Sequence, residues 1–407
     1  MLFNKRLKSH HIGKGMMKYV RGKQSIVEAL DGAKGENQII YIHVPYCSNI
    51  CSFCNMNRSL GKPLENYADL CVDQINLYGK YDGFKNSTID SIYFGGGTPT
   101  VLSSEDIIKI LEAIYKNTNL TFDCEISVET SLTDLGVEKL KKIKEAGVNR
   151  LSIGIQTFSD RGRKLLGRRG NTEFAINELK KLRETGLENV NIDLIYNYFD
   201  QTEEELFEDI DIINKLDIAG FSFYSLIVMD ESRLGKNIDK FNNDDSTKRD
   251  LDSYLTIVDN VENFKFLELT KLVRPNRDNY KYIKRRLEGK NTFPVGAGAG
   301  GNIGHLMMMN PIDVGEFNLK CIENFSDNVG MKLSDDYFKI KEAIDDIQLL
   351  KYDLKKLHNE SINNYFEELV SQNYAYKIED YYMLNKFGAF WGNNITAKLW
   401  ELIEGKQ

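Results

Sequence analysis

The sequence predicts an α/β fold: a partial (β/α)6 barrel of parallel strands with a small, mostly helical C-terminal domain. Three observations carry this. From residue 38 onward, short β-branched strands alternate with amphipathic helices, a pattern that calls for parallel strands joined by right-handed crossovers. Six such units occur, too few to close an eight-fold barrel. The polar residues with chemical potential gather at strand ends, where barrels of this type keep their chemistry.

Residues 1–37 form an N-terminal arm. Its start, MLFNKRLKSHHIGKGMMKYVRGK, is basic and lacks the apolar run of a signal peptide, so a solvated or loosely packed arm is expected. The strands read as QIIYIHV (38–44), DSIYFGG (90–96), CEISVET (124–130), RLSIGIQ (150–156), NVNIDLIY (189–196) and GFSFYSL (220–226). SSEDIIKILEAIYKN (103–117) reads as a helix with a serine cap and early acidic residues. SLTDLGVEKLKKIKEAGV (131–148) reads as another that stops at Gly147. Residues 240–290 look irregular and charged, and FPVGAGAGGNIGHLMMMN (293–310) is glycine-rich. From about residue 335 come three helical segments and a short strand-like piece, YYMLNKFGAFW (381–391). The expected units are therefore the arm at 1–37, the barrel domain with its extension at 38–310, and a small domain at 311–407, for which a winged helix is one arrangement.

A chain of 407 residues with a net charge of −7 has room for a sizeable core and lacks the basic balance of a nucleic-acid binder. No apolar run is long enough to span a membrane, and a cytoplasmic location is expected. Of the six cysteines, Cys71, Cys124 and Cys321 are scattered and read as buried thiols.

The other three lie in YIHVPYCSNICSFCNMN, residues 41–57, as Cys47-x3-Cys51-x2-Cys54 directly after a strand. Three thiolates can hold three irons of a [4Fe–4S] cube and leave the fourth iron open. A structural metal site is closed, whereas a reactive one keeps a position free. Zinc with His43 as a fourth ligand, or inert buried thiols, are the competing readings.

This loop, with YIHVPYC leading into it and IYFGGGTPT after it, resembles the radical S-adenosylmethionine enzymes, in the group of the oxygen-independent coproporphyrinogen III oxidases. The resemblance spans about residues 38–305. It implies that Cys47, Cys51 and Cys54 ligate the cluster and that S-adenosylmethionine chelates the open iron. Reductive cleavage then yields methionine and a 5′-deoxyadenosyl radical. Gly96, Gly97 and Thr98 are implied at the amino group, Glu129 and Tyr41 at the cofactor, and Arg168 at its carboxylate. Gln156 is implied at the ribose and Asp193 at the cofactor hydroxyls or sulfonium. Phe53 would shield the cluster and stack on adenine, while Tyr224 and Ile227 would line the space beyond. Two departures stand out: Thr130-Ser131 replaces an Asp-Pro after the glutamate, and NYFDQT (197–202) replaces GLPGQT.

Within the group, Met56 stands where the oxidases carry a fourth cysteine, and RPNRDNYKY (274–282) lacks the His and Trp of the chaperones' haem motif. LELTKLVRPNRDNYKY and GAGAGGNIG look like the anaerobic haem-degrading branch, the anaerobilin synthases. That likeness implies a second S-adenosylmethionine as methyl donor, haem or a related porphyrin as substrate, and a flavodoxin or ferredoxin as electron donor. It also implies ring opening with release of iron. The stretch Gly296–Gly304, with Gly300, Gly301 and Asn302, would wall the macrocycle or second cofactor. Arg274 and Arg277 are candidates for the propionates, and His305 with Met307, Met308 and Met309 for the iron. A haem chaperone and a coproporphyrinogen III decarboxylase are the alternative functions.

Overall fold

The computed structural model describes residues 2–8, 13–56, 58–240, 246–357 and 359–405. Its centre is an open barrel of six parallel strands in chain order: Gln38–Val44, Thr88–Gly96, Asn119–Thr130, Arg150–Gln156, Asn189–Tyr196 and Gly220–Ser225. These are the predicted strands, two of them starting earlier. A seventh parallel strand, Thr292–Val295, pairs with the first. Antiparallel strands then extend both edges. On one side lies the hairpin Lys271–Val273 and Lys265–Glu268; on the other lie Gly300–Ile303, Leu306–Met309, Val329–Leu333 and Val20–Ser25.

Outward strand residues such as Ile40, Ile42, Ile92, Phe94, Val128, Ile153 and Ile192 are buried beneath the helices. The helix Ser104–Asn117 starts as the sequence predicts, with a reciprocal bond pair between Ser103 and Asp106, a cap worth about 1 kcal/mol.

Several expectations need correction. The helix expected over 131–148 is only Val137–Glu145; residues 131–134 are a turn at the mouth of the barrel. The described part of the stretch 240–290 holds the helices Thr247–Asn260 and Lys281–Leu287 and a hairpin, with residues 241–245 outside the described residues. The piece 381–391 divides at Asn385, whose side chain caps a short helix after the strand Tyr381–Leu384. The described part of the arm is anchored. The Arg6 side chain is only 9% exposed, paired with Asp250 at 3.1 Å, bonded to Tyr196 Oη at 2.7 Å and stacked on Phe390. Arm residues 1 and 9–12 lie outside the described residues. The main sheet also draws Val20–Ser25 from the expected arm and Val329–Leu333 from the expected C-terminal domain. After it come helices and a three-stranded antiparallel sheet of 351–353, 381–384 and 375–378.

Candidate functional site

The first strand ends at Val44 and delivers the cysteine loop to the C-terminal mouth of the barrel. Residues 165–170 cradle that loop. Ser52 N–H donates to Leu166 O (3.1 Å), Ser52 Oγ–H to Leu165 O (2.5 Å), and Asn49 Nδ2–H to Gly167 O (2.8 Å). Arg58 Nη2–H closes the far side on Cys54 O at 2.6 Å. Cys47, Cys51 and Cys54 all line one cavity of about 240 Å³. Burial pushes the Cys47 and Cys54 thiols up, so as free thiols they stay protonated near neutrality; ligation requires the thiolate and would displace those protons.

The glycine loop closes over the cysteines. Gly97 N–H donates to Val44 O (2.9 Å) and Thr98 N–H to Tyr46 O (2.8 Å). Thr98 Oγ1–H points at Cys47 Sγ, 3.6 Å away. A Cβ on Gly97 would lie 2.4 Å from Tyr46 O and 3.0 Å from Cys47 Sγ. Gly96 has φ +112 and sits on the His43 ring, where a Cβ would approach to 2.8 Å, so neither position admits a side chain. His43 is held beneath this loop by Tyr41 Oη (2.9 Å from Nδ1) and does not join the cysteines. Among the described residues no group of three His, Cys, Asp or Glu side chains is placed to hold a single metal ion. A cube asks for less crowding, since each thiolate takes its own iron; three thiols on one cavity without a fourth ligand fit that group.

Behind the loop stand the strand-end polar residues. Glu129 accepts from Tyr93 Oη–H (2.7 Å) and Gly96 N–H (3.2 Å). Burial, with Asp193 adding repulsion, pushes its carboxyl up to about 7 against the pull of those donors. Asp193 accepts from Ser152 Oγ–H at 3.3 Å and is likewise raised by burial, opposed by Lys271 and Arg150. Gln156 adopts φ +72 at a bulge where Ile155 has no partner opposite it, which turns its amide into the cavity. Arg168 Nη1–H donates to Cys51 Sγ at 3.0 Å, and its other nitrogen bonds Gly154 O.

A second chamber of about 320 Å³ adjoins the first. Phe53, Glu129, Ser152, Gln156 and Asp193 line both. Its far wall is Ile195, Tyr224, Leu226, Ile227 and Tyr280. Tyr41 sits deeper, stacked with Tyr93 and Tyr282, with its hydroxyl on His43.

The structure does not bring the other candidates here. Gly300, Gly301 and Asn302 line a separate cavity with Met307, Met308 and Met309. His305 is paired with Asp335 at 2.8 Å on a hairpin turn. Arg274 donates to Ile218 O and Leu216 O, and Arg277 to Asp217. Both arginines follow Val273, which pairs with Gly220 at the start of the sixth strand. They therefore fasten the end of the barrel opposite the cysteines, too far round to meet a ligand at its mouth.

Sequence reasoning missed Ser152, Thr133 and Asp134 in the cavity wall and the buried charges below it. Arg150 makes a two-pronged pair with Asp278 (3.0 and 3.1 Å), Lys271 lies 3.4 Å from Asp278, and the Tyr280 ring stacks on Arg150 at 4.1 Å. Their signal was present: Arg150, Ser152 and Gly154 alternate on an otherwise apolar strand, marking the inward face.

Comparison with known proteins agrees with this geometry. Residues 41–213 match the sequence model of the Radical SAM superfamily. This segment is a radical SAM domain. The chain is 28% identical over 285 residues to an anaerobilin synthase of Escherichia coli O157:H7, covering 68% of this chain and 64% of that protein. It is 36% identical over 192 residues to heme chaperone HemW of Bacillus subtilis (strain 168), covering 46% and 50%. Both matches span less than two thirds of the relative's length. The coproporphyrinogen III oxidase of Escherichia coli, a radical SAM enzyme, superposes with a TM-score of 0.79 over 98% of this chain and 96% of that one, at 19% identity, which establishes the shared fold. A radical SAM domain implies a [4Fe–4S] cluster and S-adenosylmethionine. Among the described residues no helix is long and apolar enough to cross a membrane.

Proposed function

We propose that the chain is a radical S-adenosylmethionine methyltransferase that methylates haem and opens the macrocycle without oxygen, releasing iron and a linear tetrapyrrole. The observation that carries this is the shared wall: five residues line both the cysteine cavity and the apolar chamber beside it. A cofactor half and a substrate half therefore meet across Phe53, Glu129, Ser152, Gln156 and Asp193.

Cys47, Cys51 and Cys54 would hold the cluster, which when bound supplies the electron for cleaving S-adenosylmethionine. The remaining work belongs to the chain. Glu129 and the backbone of Gly96–Thr98 offer acceptors for an ammonium group. Gln156 and Asp193 offer a hydrogen-bonding edge for ribose. Phe53 separates the cysteines from the chamber, and Tyr224, Leu226 and Ile227 give an apolar wall suited to a flat ring and to excluding water. A cytoplasmic location, two molecules of S-adenosylmethionine and a flavodoxin or ferredoxin donor belong to the same reading.

The similarity to anaerobilin synthase supports haem as substrate, and Met56, in place of a fourth cysteine, speaks against the decarboxylase. The similarity to heme chaperone HemW favours a second reading, in which haem is carried rather than opened. Incubating the reconstituted, reduced protein anaerobically with haem and S-adenosylmethionine separates these. Loss of the Soret band with a methylated linear tetrapyrrole by mass spectrometry is expected. An intact Soret band with stoichiometric haem transfer to an apoprotein would establish the carrier instead.

A further inference from the structure

The cavity that holds Gly300, Gly301 and Asn302 is the larger one, about 590 Å³. Strand register fixes its floor. Ile39 faces the barrel interior against Tyr93 and Tyr282. Thr292 lies opposite Ile39, Asn302 opposite Thr292, Met307 opposite Asn302 and Met331 opposite Met307. Directly opposed residues share a sheet face, so this row is one surface continuous with the barrel interior. The next row adds Gly300 opposite Met309. Met307 and Met331 are only partly covered and Met309 is 64% exposed, whereas Ile303 and Leu306 on the reverse face are fully buried.

The walls have a matching character. Tyr337 and Phe338 of the helix Asp335–Asp345 face the floor, and Lys341 follows one turn later. Arg286 comes from the helix Lys281–Leu287, one turn beyond Tyr282, over whose ring its guanidinium stacks at 5.4 Å. Its Nη1 lies 3.4 Å from the Tyr282 hydroxyl, and its charge also acts on Asp345. Lys341 is paired with Asp345, the acid on this side. That helix therefore divides two chambers. Tyr280 at its start faces the reaction pocket, and Arg286 near its end faces this one.

We propose that this cavity on the sheet extension binds an iron tetrapyrrole carboxylate at a site separate from the reaction pocket. The class of ligand rests on the haem reading above; the site rests on the chamber itself. A flat floor of methionine and backbone, an aromatic wall and a volume in the range of cofactor pockets suit a macrocycle. Methionine sulfur is an axial ligand of haem iron, and Met307 and Met331 sit side by side where such an iron would rest. Arg286 provides a cation for one carboxylate, and Lys341 would provide one for the other by exchanging its Asp345 partner for the ligand. The chamber would hold substrate apart from the site of chemistry, next to the wall it must pass.

The test is a haem titration of the full, cluster-reconstituted chain, with a metal-free porphyrin dicarboxylate as a parallel probe. Two haem equivalents are expected. The double variant Met307→Leu/Met331→Leu should remove the near-infrared magnetic circular dichroism band of thioether ligation from one of them. Lys341→Glu should weaken that same equivalent at least tenfold. Both should leave uncoupled 5′-deoxyadenosine formation unchanged. Ile227→Trp, which fills the reaction pocket, should remove only the other equivalent. The metal-free probe should bind the chamber at least tenfold more weakly than haem. A single equivalent, lost in Ile227→Trp and indifferent to the chamber variants, overturns the proposal even if haem is turned over. Two equivalents without turnover would sustain the chamber and sink the haem-opening reading.

Discussion

Glu129→Gln isolates the electrostatic cost of holding an acid beneath the glycine loop. The carboxyl sits at about 7 in the fold against an ordinary 4.5. Below pH 4.5 it is protonated in both folded and unfolded chains, and stability is unaffected. As pH rises through 4.5 the unfolded chain releases this proton while the folded chain keeps it, so stability falls until about pH 7 and then levels. At 1.36 kcal/mol per pH unit the loss is about 3 kcal/mol, an upper bound because the carboxylate opens onto the cavity. Glutamine carries no charge but accepts from only one of the two donors, Tyr93 and Gly96; the lost bond costs about 1 kcal/mol. The variant should therefore gain about 2 kcal/mol over the wild type at pH 8 and be slightly less stable at pH 4.5. Urea unfolding of cluster-free protein at the two pH values reads this directly. A variant no more stable than the wild type at pH 8 would refute the buried-acid account. The same charge is what an ammonium group would restore, so S-adenosylmethionine should bind more tightly as pH rises from 5.5 to 7, and this gain should vanish in the variant.

Four other outcomes are expected. Cys47→Ser should abolish 5′-deoxyadenosine formation and lower bound iron, read by chromatography and iron assay; normal yields would refute the ligand assignment. Gly97→Ala should block cluster loading while keeping the far-ultraviolet circular dichroism of the wild type, because the added carbon meets Tyr46 O and Cys47 Sγ. Asp193→Asn should weaken S-adenosylmethionine binding at least tenfold and spare the cluster's visible absorbance, which separates a cofactor role from a cluster role. Asp278→Ala should cost about 3–5 kcal/mol in urea unfolding, since it leaves Arg150 and Lys271 buried without their shared partner.

The parallel core and the cysteine site were legible because both are local. Strand–helix alternation and the Cys47–Cys54 spacing are written in contiguous residues, and the strand ends carried Glu129, Gln156 and Asp193 to one cavity. What escaped depends on pairings distant in sequence. The inward turn of Gln156 comes from a bulge against Asp193 and Leu194, which no local pattern encodes. The stretch 293–310 reads only as glycine-rich, because its short strands gain their meaning by pairing with Gln38–Val44 and Val329–Leu333. Arg274 and Arg277 looked free for a ligand; their carbonyl and Asp217 partners lie about 55–60 residues earlier in the chain. The basic arm looked solvated until Arg6 met Asp250, 244 positions away.

Anaerobic Mössbauer spectroscopy of the iron-57 reconstituted protein, with and without S-adenosylmethionine, bears most directly on the whole account. One iron of a four-iron cube should change its isomer shift on addition of the cofactor while three stay fixed. No cube, or a cube whose four irons all ignore the cofactor, would contradict it.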